Sequence, residues 1–157
     1  MDTDTIRAVR IIAVDYGESL QDMIAAGKYD WKKSIITAER FPIVGEGTQQ
    51  FEAILFHFGP NTSSENAVEA IKSMASNPWK PGRIEHILAF GAKHPEEQRK
   101  YPIIGLGSVA KIDGHHRVPY LSRHGTGRAL DLHWWNNIWD GDRRFLAVRN
   151  CYTHPGS

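Results

Sequence analysis

Apolar periodicity changes once along the chain, and that change constrains the fold more than any other feature. Between Thr62 and His94 apolar residues recur at three- and four-residue spacing. Ala67, Ala70, Ile71 and Met74 form one helical face, with Thr62, Ser63 or Ser64 as cap, Glu65 in the first turn and Pro78 as stop. A second helix follows Pro81 with a stripe of Ile84, Ile87, Leu88 and Gly91, and ends near His94–Pro95. From Ile103 onward the period is two. "IIGLGSVAKI" reads as a strand, Asp113–Gly114 as a hairpin turn that takes in His115–His116, and "RVPYL" as the return strand. Gly125 and Gly127 mark the next turn. "RALDLHWW" then alternates, with Leu130, Leu132 and Trp134 on the core face and Asp131, His133 and Trp135 opposite. "RRFLAVRN" is apolar enough for a central strand.

The first half adds a β-branched strand over Ile6–Val14 and a short helix over Ser19–Ala26, capped by Ser19 and stopped by Gly27. An irregular connection and a strand over Gln49–Phe58 follow. The order strand, helix, strand, two helices, four short strands predicts an α+β fold with mainly antiparallel short strands and two to three helices. One domain spans residues 1–150, and residues 151–157 form a short tail.

Composition excludes several classes. Nineteen basic and 18 acidic residues give a net charge of +1, so no overall field favours nucleic acid or an anionic membrane. The single cysteine, Cys151, permits no intrachain disulfide, though it could pair between chains. The acidic start has no signal-peptide run, and no stretch is long enough to span a membrane, so a cytoplasmic location is the default, with surface or phage-associated display as the variant. The part from Tyr101 onward holds five of the eight histidines and three of the five tryptophans, and function is expected there.

That part resembles the C-type lectin-like fold. "WKPGRIEHILAFG", "YPIIGLGSV", Trp-rich loops and a closing "RRFLAVRN" are similar to the formylglycine-generating-enzyme-like domains and the variable proteins of diversity-generating retroelements. Pro81 and Glu85 match the helix start, and Arg144, Phe145 and Arg149 the closing strand. The paired cysteines of the enzyme branch are absent, so its oxidative activity is not implied. The resemblance implies a scaffold, with a ligand-display half at about residues 100–150, that presents a variable-type surface to a protein or glycan target. Its contact set is Tyr120, Arg123, His124, Thr126, Arg128, Asp131, His133, Trp135, Asn136, Asn137, Trp139, Asp140, Asp142 and Arg143. Trp and Tyr offer rigid area, while Asn, Asp and Arg offer adaptable hydrogen bonds. No cofactor is required on this reading, no catalytic residue is assigned, and a homo-oligomer is compatible with it.

A competing reading is enzymatic. "SRHGTGRALD" resembles the S-x-H-x-x-G-x-A-x-D motif of zinc D-alanyl-D-alanine carboxypeptidases, on Ser122, His124, Gly127, Ala129 and Asp131. The resemblance implies zinc held by His124 and Asp131, with His133 as third ligand. The downstream Glu that such chemistry uses as base is missing, because no Glu follows Glu97.

Overall fold

A computed structural model describes residues 8–74 and 79–151. The elements in chain order are β1 (Arg10–Asp15), α1 (Leu20–Ala26), β2 (Trp31–Lys32), β3 (Thr48–Phe56), β4 (Thr62–Ser63), α2 (Ser64–Lys72), β5 (Lys80–Pro81) and α3 (Ile84–Lys93). Then come α4 (Glu97–Lys100), β6 (Ile103–Ile104), β7 (Ala110–Ile112), β8 (His115–His124), β9 (Gly127–Trp134), β10 (Ile138–Trp139) and β11 (Arg144–Asn150). The fold is α+β. Nine strands form one sheet in the order β1-β3-β11-β6-β8-β9-β2, with β5 beside β11 and β7 beside β8. Pairing is mainly antiparallel, and β11–β6 and β2–β9 are parallel.

The closing strand is central, as its apolar run predicts. Its alternation divides the interior in two. Leu146 and Val148 face a core with Ile12, Ile87, Leu88 and Leu130, under α1 and α3. Phe145 and Ala147 face a second core with Phe56, Ile71, Trp79 and Trp139, under α2. Each fully buried side chain of this size stabilises the fold by roughly 1.5–3 kcal/mol. Caps are local. Ser19 accepts from the Asp22 N–H at 3.1 Å, and Ser63 from the Asn66 N–H at 3.1 Å.

Several expectations shift. The helix count is four among the described residues, because "PEEQRK" closes a short turn of helix as α4. "IIGLGSVAKI" is two strands. Gly107 lies so close to the Pro81 carbonyl that a Cβ would meet it at 2.4 Å, and its N–H donates to the Gly82 carbonyl at 2.8 Å, which takes the chain off the sheet. His115 and His116 are in strand β8, paired with Ile112 and Lys111. The turn is Asp113–Gly114 alone, both at positive φ (53° and 81°), the geometry of a two-residue hairpin. Trp134 lies on the face of Leu130 and Leu132 by alternation, yet it is 50% exposed. On the other side of β8, Ala110 and Ile112 are still core, but β9 runs on past the end of β2 as an uncovered edge, and the indole stacks on His115 at 4.9 Å. The expected strand start at Ile6, the helix stop at Pro78 and the tail from Tyr152 lie outside the described residues.

Arg128 is a correction of a different kind. Expected on a display surface, it is 5% exposed. Its Nε donates to Gln98 Oε1 (3.1 Å), Nη1 to the Gly27 carbonyl (2.5 Å) and Nη2 to the Gly91 carbonyl (2.8 Å). The guanidinium also lies 4.7 Å from the Tyr29 ring centre. Gly27 caps the C-terminus of α1 and Gly91 lies in the last turn of α3, so both acceptors are orphan helix carbonyls at negative dipole ends. Gly91 is glycine for space, since a Cβ would meet Tyr29 Oη at 2.3 Å. Arg128→Met leaves these acceptors buried and unpaired. It is expected to cost roughly 3 kcal/mol in urea unfolding, with Arg123→Ala at the exposed tip changing stability by under about 0.5 kcal/mol.

Candidate functional site

The β8–β9 hairpin carries most of the expected contact residues, and its register sorts them. His124 faces Gly127 at the tip, Tyr120 faces Asp131, and Val118 faces His133. Arg123, His124 and Thr126 are exposed at the tip, where His124 stacks on Trp31 at 6.0 Å and the Thr126 carbonyl accepts from Arg99. At the other end the structure gathers Tyr120, His133, Asn137 and Arg143. Tyr120 meets His133 edge-on at 5.5 Å, and His133 lies 4.7 Å from Trp139. Tyr120, Leu132, His133, Trp134 and Asn137 line a recess of about 320 Å³. Asn136, Asp140 and Asp142 are exposed, and Asp142 lines a separate recess with Ser122 and Arg123. Arg143 pairs with Asp142 at 2.5 Å and Asp140 at 3.7 Å.

Trp139 is corrected from contact residue to core. It is 1% exposed, and its indole N–H donates to Ser64 Oγ at 2.9 Å. Ser64 in turn donates to the Trp135 carbonyl at 2.7 Å, which ties α2 to the end of β9. Trp135 belongs to a different concavity, described below, and its indole N–H donates to Glu65 at 3.0 Å.

The zinc set is not assembled. His124 and Asp131 lie four rungs apart on the ladder, roughly 13 Å at the usual rise per residue, beyond the reach of one metal ion. No group of three or more His, Cys, Asp or Glu among the described residues is arranged to hold a metal. Asp131 has another role. The Arg128 and Leu130 carbonyls accept from the Asp30 and Lys33 N–H groups, so even-numbered residues of β9 turn their main chain toward β2. β2 ends at Lys32, opposite Leu130. The next N–H in that row, of Leu132, donates to Asp131 Oδ1 at 2.7 Å, and Lys33 lies 4.0 Å from the same oxygen. Asp131 thus blunts an open sheet edge. Burial lowers the His133 pKa, against a backbone hydrogen bond at Trp134 that raises it; the charge of Arg143 adds to the lowering and those of Asp131 and Asp140 oppose it.

A second concavity was not legible from the hairpin residues. It is a cleft of about 1050 Å³ between the start of α3, the end of α2 and the ends of β3 and β11. Two buried polar residues in its lining are only partly satisfied. Glu85 is 2% exposed; its Oε2 accepts from the Tyr16 hydroxyl at 3.0 Å and lies 3.4 Å from Arg83 Nε, while its Oε1 has no partner. His86 is 5% exposed; its Nδ1 accepts from the Arg83 N–H at 3.0 Å, and its Nε2 has no partner. The α3 N-terminus is closed beneath them by Ser108 Oγ, which accepts from the Ile84 N–H at 2.8 Å. The sequence signal was "RIEHI": two adjacent polar residues between stripe positions of an apolar helix. Phe51 of β3 packs edge-on against the His86 ring at 4.5 Å.

No protein-family model, curated protein or solved structure matches this chain.

Burial, with the charges of Arg83 and Lys80 adding to it, holds the His86 imidazole down to about 3 from an ordinary 6.5. The unfolded chain takes up a proton below pH 6.5 that the folded chain refuses. The stability linked to His86 is therefore complete above pH 6.5 and falls as pH drops toward 3. Between pH 6.5 and 5 the native chain should lose up to about 2 kcal/mol more stability than His86→Gln, measured by urea unfolding. Parallel pH profiles would contradict the neutral, buried imidazole.

Proposed function

We propose that this chain is a non-catalytic ligand-binding module on a C-type lectin-like scaffold, which engages a protein or glycan with the end of the β8–β9 hairpin and the loop before β11. The observation that carries the proposal is the half-exposed indole of Trp134, which lines the recess with Tyr120, His133 and Asn137. Ile138, 59% exposed, adds apolar surface in the same segment, and Asn136 and Asp140 are exposed polar residues there. An aromatic anchor inside a ring of hydrogen-bonding groups is the usual composition of a binding hot spot. The central position of β11 and the start of α3 after Pro81 are compatible with the resemblance. On the retroelement form of this reading, the exposed residues among Tyr120–Arg143 would be those that vary, over Leu130, Leu132, Phe145 and Val148 as an unchanging core.

The test is a screen of the full chain on glycan and peptide arrays, followed by titration of the hit. Trp134→Ala should weaken binding by about tenfold or more, at a residue whose loss leaves the cores intact. Trp31→Ala, at the distal tip, should leave it unchanged. An array without hits, or equal loss in both variants, would contradict the proposal.

A further inference from the structure

We propose that the tip of the β8–β9 hairpin, with the edge strand β2 beside it, is a separate binding surface for single-stranded nucleic acid. Trp31 and His124 are its stacking platform. Trp31, in β2 at the edge of the sheet, is 39% exposed, and His124, the last residue of β8, is exposed beside it. Their rings are tilted by only 22°, with centres 6.0 Å apart. Trp31 lies opposite Ala129 and His124 opposite Gly127, so the two rings leave neighbouring strands at the same end of β9. Exposed flat rings of this kind stack on a nucleobase of any identity, because every base has a π-face.

The charges at this end fit a phosphate backbone. Lys28 follows Gly27, whose carbonyl accepts from Arg128 of β9. Lys32 pairs with Leu130, Lys33 Nζ lies 5.9 Å from the Trp31 ring centre, and Arg123 pairs with Arg128 next to the turn. Arg99 reaches the same turn and donates to the Thr126 carbonyl. The neighbouring acids are already engaged. Asp30 Oδ2 accepts the Arg128 N–H at 2.7 Å, Glu96 pairs with Arg99 at 3.2 Å, and Asp131 takes the Leu132 N–H. Asp142, which shares a recess with Arg123, is held by Arg143 at 2.5 Å. Lys28, Lys32 and Arg123 are exposed and pair with no acid among the described residues. A chain with a net charge of only +1 therefore has a local positive potential around two exposed rings. In a duplex the base faces are stacked on one another, so an aromatic platform selects an unpaired strand. The Trp134 recess lies at the opposite end of the hairpin, and the inference does not rest on that reading.

Fluorescence polarisation of the full chain at low salt tests it, with labelled oligouridylate and oligothymidylate of about ten nucleotides as probes. A duplex of the same length and a heparin fragment are the controls. The better of the two single strands should bind about fivefold or more tightly than either control, and its sugar identifies RNA or DNA as the partner. Trp31→Ala should weaken that binding by about fivefold or more, and Trp31→Phe, which keeps a flat ring, by less than about twofold. Lys32→Glu, at an exposed position, should weaken it by about tenfold or more and should flatten the salt dependence by about 0.7 in log–log slope. Thermal unfolding confirms that the variants fold. Trp134→Ala should bind as the native chain does. No binding of either strand, a duplex or heparin bound as tightly, or an affinity unchanged in Trp31→Ala or in Lys32→Glu, overturns the proposal.

Discussion

A buried guanidinium without a carboxylate partner holds this molecule together. Arg128 reaches from β9 to the C-terminal ends of α1 and α3 and to Gln98 of α4, and its own N–H is held by Asp30 Oδ2 at 2.7 Å. Its positive charge is offset by two helix-end carbonyls, an amide oxygen and the face of Tyr29 rather than by an acid. The arrangement is geometric as much as electrostatic. The planar fork of arginine meets three acceptors in three directions, which a lysine could not do. Gly27 and Gly91 clear the space in which the Tyr29 ring lies under the guanidinium, and the three helices are thereby tied to β9.

Two features of the surface follow from that anchoring. β9 is paired by β2 only as far as Leu130, so beyond that point its edge is open and Trp134 lies half-exposed against His115. α3 is pinned at its last turn, and its first turn meets β5 and β3, where Glu85 and His86 are enclosed without full satisfaction. Asp131 belongs to the same framework. It serves the unpaired edge of β9, and that role accounts for an acid on a strand face better than metal ligation does, given its separation from His124.

Much of the scaffold was readable from periodicity. The two caps, the stripe of α3, the hairpin turn at Asp113–Gly114 and the central closing strand are local signals, and the chain obeys them. The α+β class with a mainly antiparallel sheet followed from their order. Trp134, Trp139 and Arg128 could not be sorted that way. Alternation gives the face of a strand residue but not whether another layer covers it, which is why Trp134 is exposed on a core face. Trp139 is buried because Ser64, 75 residues earlier in the chain, receives its indole N–H. Arg128 is buried because acceptors 37 and 101 residues away meet there. Composition reads such residues as surface. The cleft is not legible in the sequence for the same reason, since its lining comes from segments that span residues 16 to 150.

The anchoring by Arg128 is most directly tested by side-chain hydrogen exchange of the arginine guanidinium groups, followed by NMR. The account predicts that the Arg128 Nε–H and Nη–H protons give separate signals that exchange far more slowly than those of exposed Arg123. Averaged Arg128 signals that exchange as fast as those of Arg123 would contradict it.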